Sequence, residues 1–236
     1  MTTSGVADAV FAGDHLDLRA LGEVVPMARR LVRADAAALV RVQARDGVVS
    51  GYATTLAGAL VGRRVRGATP TEVDITVGAG ELVEWLTDGG PTGAGSPVAS
   101  APPTRHDNAW RSALPPARGW VELDSVPGAV ITQLVAQGAA AHRDADRLGL
   151  GARAAQEMLD VPVLTVSPNA AGSPTAAGAP GAPARITNRS LSALTSMGFL
   201  APDGHANVAV VGNWTRIAGA FGSVYAQDKR AGLRLL

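Results

Sequence analysis

The residues with the widest chemical reach are four histidines, at positions 15, 106, 142 and 205. An imidazole ligates metals and moves protons near neutral pH. A helical or finger-type metal site needs a second ligand three to five residues away, and no histidine has a second histidine at that spacing. His106 sits beside Asp107 in a loop-like segment and His205 in a turn. His142 falls near the edge of a helical apolar face, beside Arg143, Asp144 and Asp146, and reads as a structural histidine. There is no cysteine, which removes disulfides, thiolate zinc sites, iron–sulfur clusters and thiol nucleophiles. No G-x-S-x-G elbow supports a serine hydrolase. The acidic pairs Glu81/Glu84 and Asp144/Asp146 read as solvated helix charges. The sequence therefore nominates no catalytic residue, no metal ligand and no cofactor.

Two glycine pairs invite a phosphate-binding reading. Gly78-Ala79-Gly80 follows a strand pattern and opens a helix, the setting in which backbone amides cradle a dinucleotide. The third glycine position holds Val83, however, and Glu81 and Glu84 would repel phosphate in the first turn. Gly149-Leu150-Gly151 with Ala154 also spells the fingerprint, but it lies between two helix patterns and reads as a stop and restart. No P-loop is present, and the single lysine is Lys229.

Charge offers a further candidate. Basic residues number 21 and acidic residues 20, so the chain lacks the basic excess of a dedicated nucleic-acid binder. Residues 19–66 nevertheless hold nine arginines against Glu23, Asp35 and Asp46, a net of +6. Residues 71–90 hold five acids, and pairing across a sheet would neutralise part of this. The alternative is a patch for an anionic partner made of Arg63, Arg64 and Arg66 with Arg29, Arg30 and Arg33. No aromatic residue interleaves them, which argues against a base-stacking platform.

The elements that must position these groups follow from periodicity. Residues 14–21 alternate in part and predict a strand. A helix runs from about Gly22 to Arg33, with Pro26 near its first turn where proline is tolerated. Strands follow over 37–67, with Asp46-Gly47 as a type I′ hairpin turn. TEVDITV (71–77) alternates with period two, and Glu81–Thr87 is a short helix. Residues 89–109 are rich in Gly, Pro, Ser and Ala and read as a flexible linker. Beyond Trp110, Pro115-Pro116 and Gly119 make a bend. Asp124 or Ser125 would cap the longest helix, with Val126, Val130, Leu134, Ala141, Ala145 and Leu148 as its apolar face. A helix at Ala152–Leu159 and a strand at 161–166 precede a low-complexity loop at 167–184, read as disordered. Residues 187–198 predict a helix, and three strand-like runs follow, broken by Gly212-Asn213, Gly219 and Gly222.

Three segments carry a resemblance: W-R-S-A-L-P-P-A-R-G-W (110–120), L-x-x-M-G-F-L (194–200) and G-N-W-T-R-I-A-x-x-x-G-S-V-Y (212–225). In these the chain resembles uncharacterised two-domain proteins of high-GC actinobacteria. The resemblance implies two domains and a cytoplasmic location, and it brings no activity. The 20 arginines against one lysine fit a high-GC genome.

The expected fold is α+β, in two small domains of antiparallel strands covered by helices. The first spans 14–88 and the second 110–236, with a winged helix as one form the second could take. The N-terminus has no basic, apolar leader pattern, and no stretch reaches the roughly 20 apolar residues of a membrane helix. The reading is of a cytoplasmic, non-catalytic protein-interaction module, its oligomeric state open. Its candidate surface is Arg63, Arg64 and Arg66, or the rim of the last strands at Trp214, Arg216 and Tyr225. A protein partner is expected. Two alternatives stand beside it. One is DNA binding through residues 187–198, offering Asn188, Arg189, Ser192, Thr195 and Ser196. The other is a small-molecule enzyme with a site between the domains, drawing on His142 or His205.

Overall fold

The computed structural model describes residues 16–88, 101–168 and 183–228. The chain forms two compact units, Met1–Leu56 with Leu60–Ala113, and Ala57–Ala59 with Leu114–Leu236. Each unit lays helices on an antiparallel sheet, so the α+β expectation holds for both. Among the described residues no helix is long and apolar enough to cross a membrane.

The first unit starts with helix α1 (Leu18–Gly22) where alternation predicted a strand. Asp17 is the reason. Its carboxylate accepts from the Ala20 N–H at 3.1 Å and from the Ala68 N–H at 3.0 Å, capping the helix and tying it to a distant loop. Helix α2 (Val25–Ala34) carries Pro26 in its first turn and buries Met27, Ala28 and Leu31. Strands β1 (Leu39–Arg45) and β2 (Val48–Thr54) join at Asp46-Gly47, both with positive φ, as a type I′ turn requires. Strands β3 (Leu60–Arg66) and β4 (Val73–Gly78) complete the order β4-β1-β2-β3, and α3 (Ala79–Thr87) follows directly.

Period two then sorts the side chains. Val40, Val42, Ala44, Val49 and Ile75 lie buried on the helix side. Gly51 lies under Val24, where an added Cβ would stand 2.5 Å from a methyl group. The opposite face is polar and holds Arg41, Gln43, Ser50, Tyr52, Asp74 and Thr76.

In the second unit, β5 (Val121–Pro127) occupies residues expected to cap the long helix. It is an edge strand beside β8, with a bulge between Glu122 and Asp124. Two acids and a proline protect its free edge and also hide it in sequence. Helix α4 (Gly128–Arg147) begins after Pro127 and α5 (Gly151–Leu159) follows. Gly149 and Gly151 both have positive φ, the stop and restart expected there. Strands β6 (Pro162–Val166) and β7 (Ala184–Thr187) form a separate pair. Ala184 is thus a buried strand residue, whereas residues 169–182 of the expected disordered loop lie outside the described residues. Helix α6 (Asn188–Ser196), capped by Thr187, leads to β8 (His205–Val211), β9 (Trp214–Gly219) and β10 (Gly222–Gln227).

The sheet order here is β10-β9-β8-β5. Val208, Ile217 and Val224 stand in one cross-strand row and are fully buried. Leu191, Leu194 and Phe199 close the core on the same side. Gly219 and Gly222 make room for Phe199, since a Cβ on Gly219 would lie 2.2 Å from the Phe199 carbonyl oxygen. The meander is therefore part of a four-stranded core sheet and not a free wing.

The long helix faces inward along a different stripe from the one expected. Only Val126 and Ala145 of the expected face are buried; Val130 is 39% exposed and Leu148 75%. The inner line runs through Gly128, Ile131, Val135, Gly138, His142 and Ala145, all buried or half-buried. Gly138 sets it. An added Cβ there would fall 2.2 Å from the Asn188 amide nitrogen, so α4 meets α6 at this glycine.

Candidate binding surface

On the polar face of the first sheet, Arg41 of β1 grips Asp74 of β4 with both ends of its fork. Nε donates to Oδ1 at 2.6 Å and Nη2 to Oδ2 at 2.8 Å. Gln43 Nε2 adds a third donor to Oδ2 at 3.0 Å. Burial alone would raise the Asp74 pKa. The hydrogen bonds from Arg41 and Gln43, with the charges of Arg41 and Arg45, outweigh it and hold the carboxyl below its ordinary value. The Arg41 pKa is raised in turn, chiefly by its hydrogen bond to Asp74. The guanidinium also stands 6.0 Å from the ring centre of Trp110.

Trp110 arrives on a stretch that the sequence assigned to a linker. Residues 105–107 dock on β4 instead. Arg105 bridges to Val77, the His106 N–H donates to the Thr76 carbonyl at 2.7 Å, and the Thr76 N–H donates to Asp107 Oδ1 at 2.7 Å. Arg105 pairs with Asp107 at 2.6 Å. The linker expectation is thus corrected for these residues; 89–100 lie outside the described residues. Trp110 itself belongs to the first unit, not to the start of the second. The docking also explains the glycine motif at 78–80. Glu81, in the first turn of α3, accepts from the Thr104 N–H at 2.6 Å, so this helix start is taken by its own chain.

A parallel arrangement occupies the second sheet. Trp120 donates from Nε1 to the Pro116 carbonyl at 2.9 Å, which fixes the ring. Arg216 of β9 stacks over that ring at 4.9 Å, and Tyr225 of β10 is tilted against it at 6.0 Å. Here the resemblance to the first unit ends. Arg216 has no hydrogen bond or ion pair with any described residue, and its Nε is shielded from solvent without a partner. An orphaned donor of this kind costs about 1–3 kcal/mol.

The six residues expected to form a surface fall apart on this geometry. Arg63 lies on the helix side of β3 and pairs with Glu23 at 3.0 Å, while Arg64 and Arg66 point to the other side. One patch of all three is impossible on a strand. Trp214 and Tyr225 are buried, at 8% and 4% exposure, and so are not rim residues. Arg66 is exposed and Arg216 is half-buried on β9. Trp120 was legible only as one end of a proline-rich bend, although a fixed aromatic ring in such a segment is a ready-made platform for a cation.

Of the polar residues named for DNA reading on helix α6, Ser196 is exposed and Ser192 and Thr195 are half-buried. Asn188 and Ser190 are buried, and Arg189 is committed to Asp160 through Nε at 2.7 Å and Nη2 at 3.1 Å. His205 is exposed at the start of β8, and His142 is half-buried on α4 with Nε2 unpartnered. Among the described residues no three His, Asp or Glu side chains come together as a metal site.

Large apolar side chains are exposed at Leu56, Val121 and Phe221 and on the α4–α5 hairpin. Leu148 and Leu150 flank its turn at 75% and 55% exposure, and Val130 and Val161 are also exposed. From Gly128 to Ala141 the helix carries no charge at all.

Residues 15–112 match a family model described as domain of unknown function DUF8010, and residues 115–231 match domain of unknown function DUF8185. The gap between the two matches coincides with the boundary between the two units. No curated protein matches the sequence. Among solved structures, the chain is similar to the Helicobacter pylori beta clamp in complex with carprofen, at a TM-score of 0.51 and 8% identity, over 93% of this chain and 66% of the clamp. It is also similar to the Caulobacter crescentus beta sliding clamp (TM-score 0.48, 10% identity, 90% of this chain and 63% of that one). The beta subunit from DNA polymerase of Streptococcus pyogenes gives 0.49 and 8% identity, over 94% and 67%. The chain thus spans about two thirds of the length of these proteins, and at such identities the likeness is one of fold.

Proposed function

We propose that this chain is a non-catalytic protein-interaction module whose α4–α5 hairpin is a docking surface for a protein partner. The observation that carries the reading is the exposure of Leu148 and Leu150 at the hairpin turn, beside a helix without charge over its first fourteen residues. Apolar side chains held out on a rigid element favour a partner that buries them. The likeness in fold to the Helicobacter pylori beta clamp is compatible with the same reading. A nucleic-acid partner at this helix has less to rest on, because phosphate binding draws on cations and Gly128–Ala141 has none.

The test is the double substitution Leu148→Glu with Leu150→Glu. Both side chains are exposed, so circular dichroism and melting should match the parent. Burying a leucine at an interface contributes about 1.5–3 kcal/mol, so partner capture in a quantitative pull-down should fall by at least tenfold. Undiminished capture by a folded double variant would remove this surface.

A further inference from the structure

We propose that Arg216, on its Trp120 platform, is a receptor for a carboxylate presented by a partner protein, from an aspartate, a glutamate or a chain terminus. The two units supply the comparison. Arg41 on Trp110 and Arg216 on Trp120 are both strand arginines stacked on a tryptophan from the segment 110–120. In the first unit the guanidinium edge is filled by Asp74, through two parallel hydrogen bonds and from the same sheet face. In the second unit no described residue fills that edge.

The register shows why. Directly beside Arg216 stand Ala209 on β8 and Tyr225 on β10. The diagonal neighbours on the same face are Asn207 and Val211 on one side, Ser223 and Gln227 on the other. None is an acid. Glu122, in line across Ala209, is two strands away, at about 10 Å by the usual strand spacing. No salt bridge reaches Arg216 from the described residues.

An arginine cannot shed its proton to escape this environment. Its planar fork matches a carboxylate bidentately, and stacking on an aromatic face holds the fork in one plane. Arg41 shows which oxyanion this stack accepts in the same protein: a carboxylate, held at 2.6 and 2.8 Å. The shielded Nε of Arg216 cannot be the edge that an incoming group meets; the two Nη atoms are not shielded and form the fork a partner's carboxylate would reach. This site lies on the sheet and is independent of the helical hairpin. Loss of one leaves the other standing.

The experiment follows the arginine Nε–H signals by NMR in the full chain, with Arg216 assigned by its disappearance in Arg216→Lys. Sodium acetate is titrated against sodium chloride at equal ionic strength, with sodium phosphate as a third arm. The expected result is a saturable shift of the Arg216 signal with acetate, absent with chloride, while the Arg41 signal stays still because its fork is filled. A peptide ending in aspartate should reproduce the acetate shift, and Arg216→Lys should bind it about tenfold more weakly, having lost the fork but kept the charge. Equal responses to acetate and chloride would overturn the proposal. So would saturation by phosphate alone, or a signal that does not move because a carboxylate of the chain itself already holds it. Should Arg216→Lys fail to fold, Arg216→Met supplies the same assignment, and the parent titration then decides the matter.

Discussion

Replacing Arg41 and Arg216 separately by methionine should lower stability in the first case and not in the second. Methionine keeps most of the apolar stem on the tryptophan ring, so the comparison isolates the charged head. For Arg41→Met the loss is a bidentate pair with Asp74, with side-chain exposures of 28% and 43%. Charge-assisted hydrogen bonds contribute about 1.5–3 kcal/mol when well shielded, and exposure of this order reduces a pair toward about 1 kcal/mol. Asp74 keeps Gln43 as a donor at 3.0 Å, which limits the damage. The expected cost is about 1–2 kcal/mol. For Arg216→Met the loss is the cation–π contact, about 0.5–1 kcal/mol at a partly exposed site. Against it stands the removal of a shielded Nε without a partner, worth about 1–3 kcal/mol. The net expectation is no loss, or a gain of up to about 2 kcal/mol.

Urea unfolding followed by far-ultraviolet circular dichroism and tryptophan fluorescence measures both, fitted as two transitions because two units need not unfold together. Arg41→Met should lower the midpoint of its unit with an unchanged slope, and Arg216→Met should leave or raise the other. If Arg216→Met lowers its midpoint as far as Arg41→Met does, Arg216 has a structural partner in the folded chain, and the contrast between the two stacks is wrong. A residue that destabilises its own fold is what a binding site looks like in a stability measurement.

Two further outcomes follow from the same contacts. Gly138→Ala should destabilise the second unit by about 1–3 kcal/mol by overpacking. An exposed mid-helix glycine would instead gain about 1 kcal/mol from alanine. The sign, read from chemical denaturation, therefore reports whether α4 meets Asn188 at this point. The second outcome concerns pH. The folded pKa of Asp74 lies below its unfolded value, so the folded state binds fewer protons. Its contribution is complete above the unfolded value of about 3.9 and is lost as pH falls through the folded one. Melting temperatures of the parent and Asp74→Asn should differ at pH 7 and converge below about pH 4. A constant gap down to pH 2 would show that the Arg41–Asp74 pair is not what holds that carboxyl ionised.

Local signals made much of this fold readable in the sequence. Asp46-Gly47 needs positive φ at both positions and can hardly be anything but a tight hairpin turn. Residues 73–77 alternate cleanly because one face packs apolar side chains under the helices and the other carries polar ones, Asp74 exposed and Thr76 buried. Val208 to Val211 are apolar without alternation because β8 is covered on both faces there, and the successive residues Val208 and Ala209 are both buried. The failures share a different cause. Strand β5 is an edge, so its pattern is set by protection of that edge and reads as a helix cap. Helix α1 depends on Asp17 reaching Ala68, fifty-one positions away. The stripe of α4 is fixed by what Gly138 meets, and a glycine carries no hydrophobic signal by which a periodicity could find it.

The site shows the same division more sharply. That Arg63, Arg64 and Arg66 cannot share a face follows from period two alone and is already in the sequence. That Trp214 and Tyr225 are buried does not follow, since aromatic residues on a meander suit a core or a rim equally well. The difference between Arg41 and Arg216 lies deeper. Each is a strand arginine next to an aliphatic residue, and each stacks on a tryptophan from one short segment. Only strand register decides that the first has Asp74 on its diagonal and the second has Asn207 and Val211. Register is fixed by the pairing of segments far apart in the chain, so which residues flank an arginine is a property no single segment contains. The arginine of G-N-W-T-R-I-A becomes a candidate receptor through what its neighbours lack.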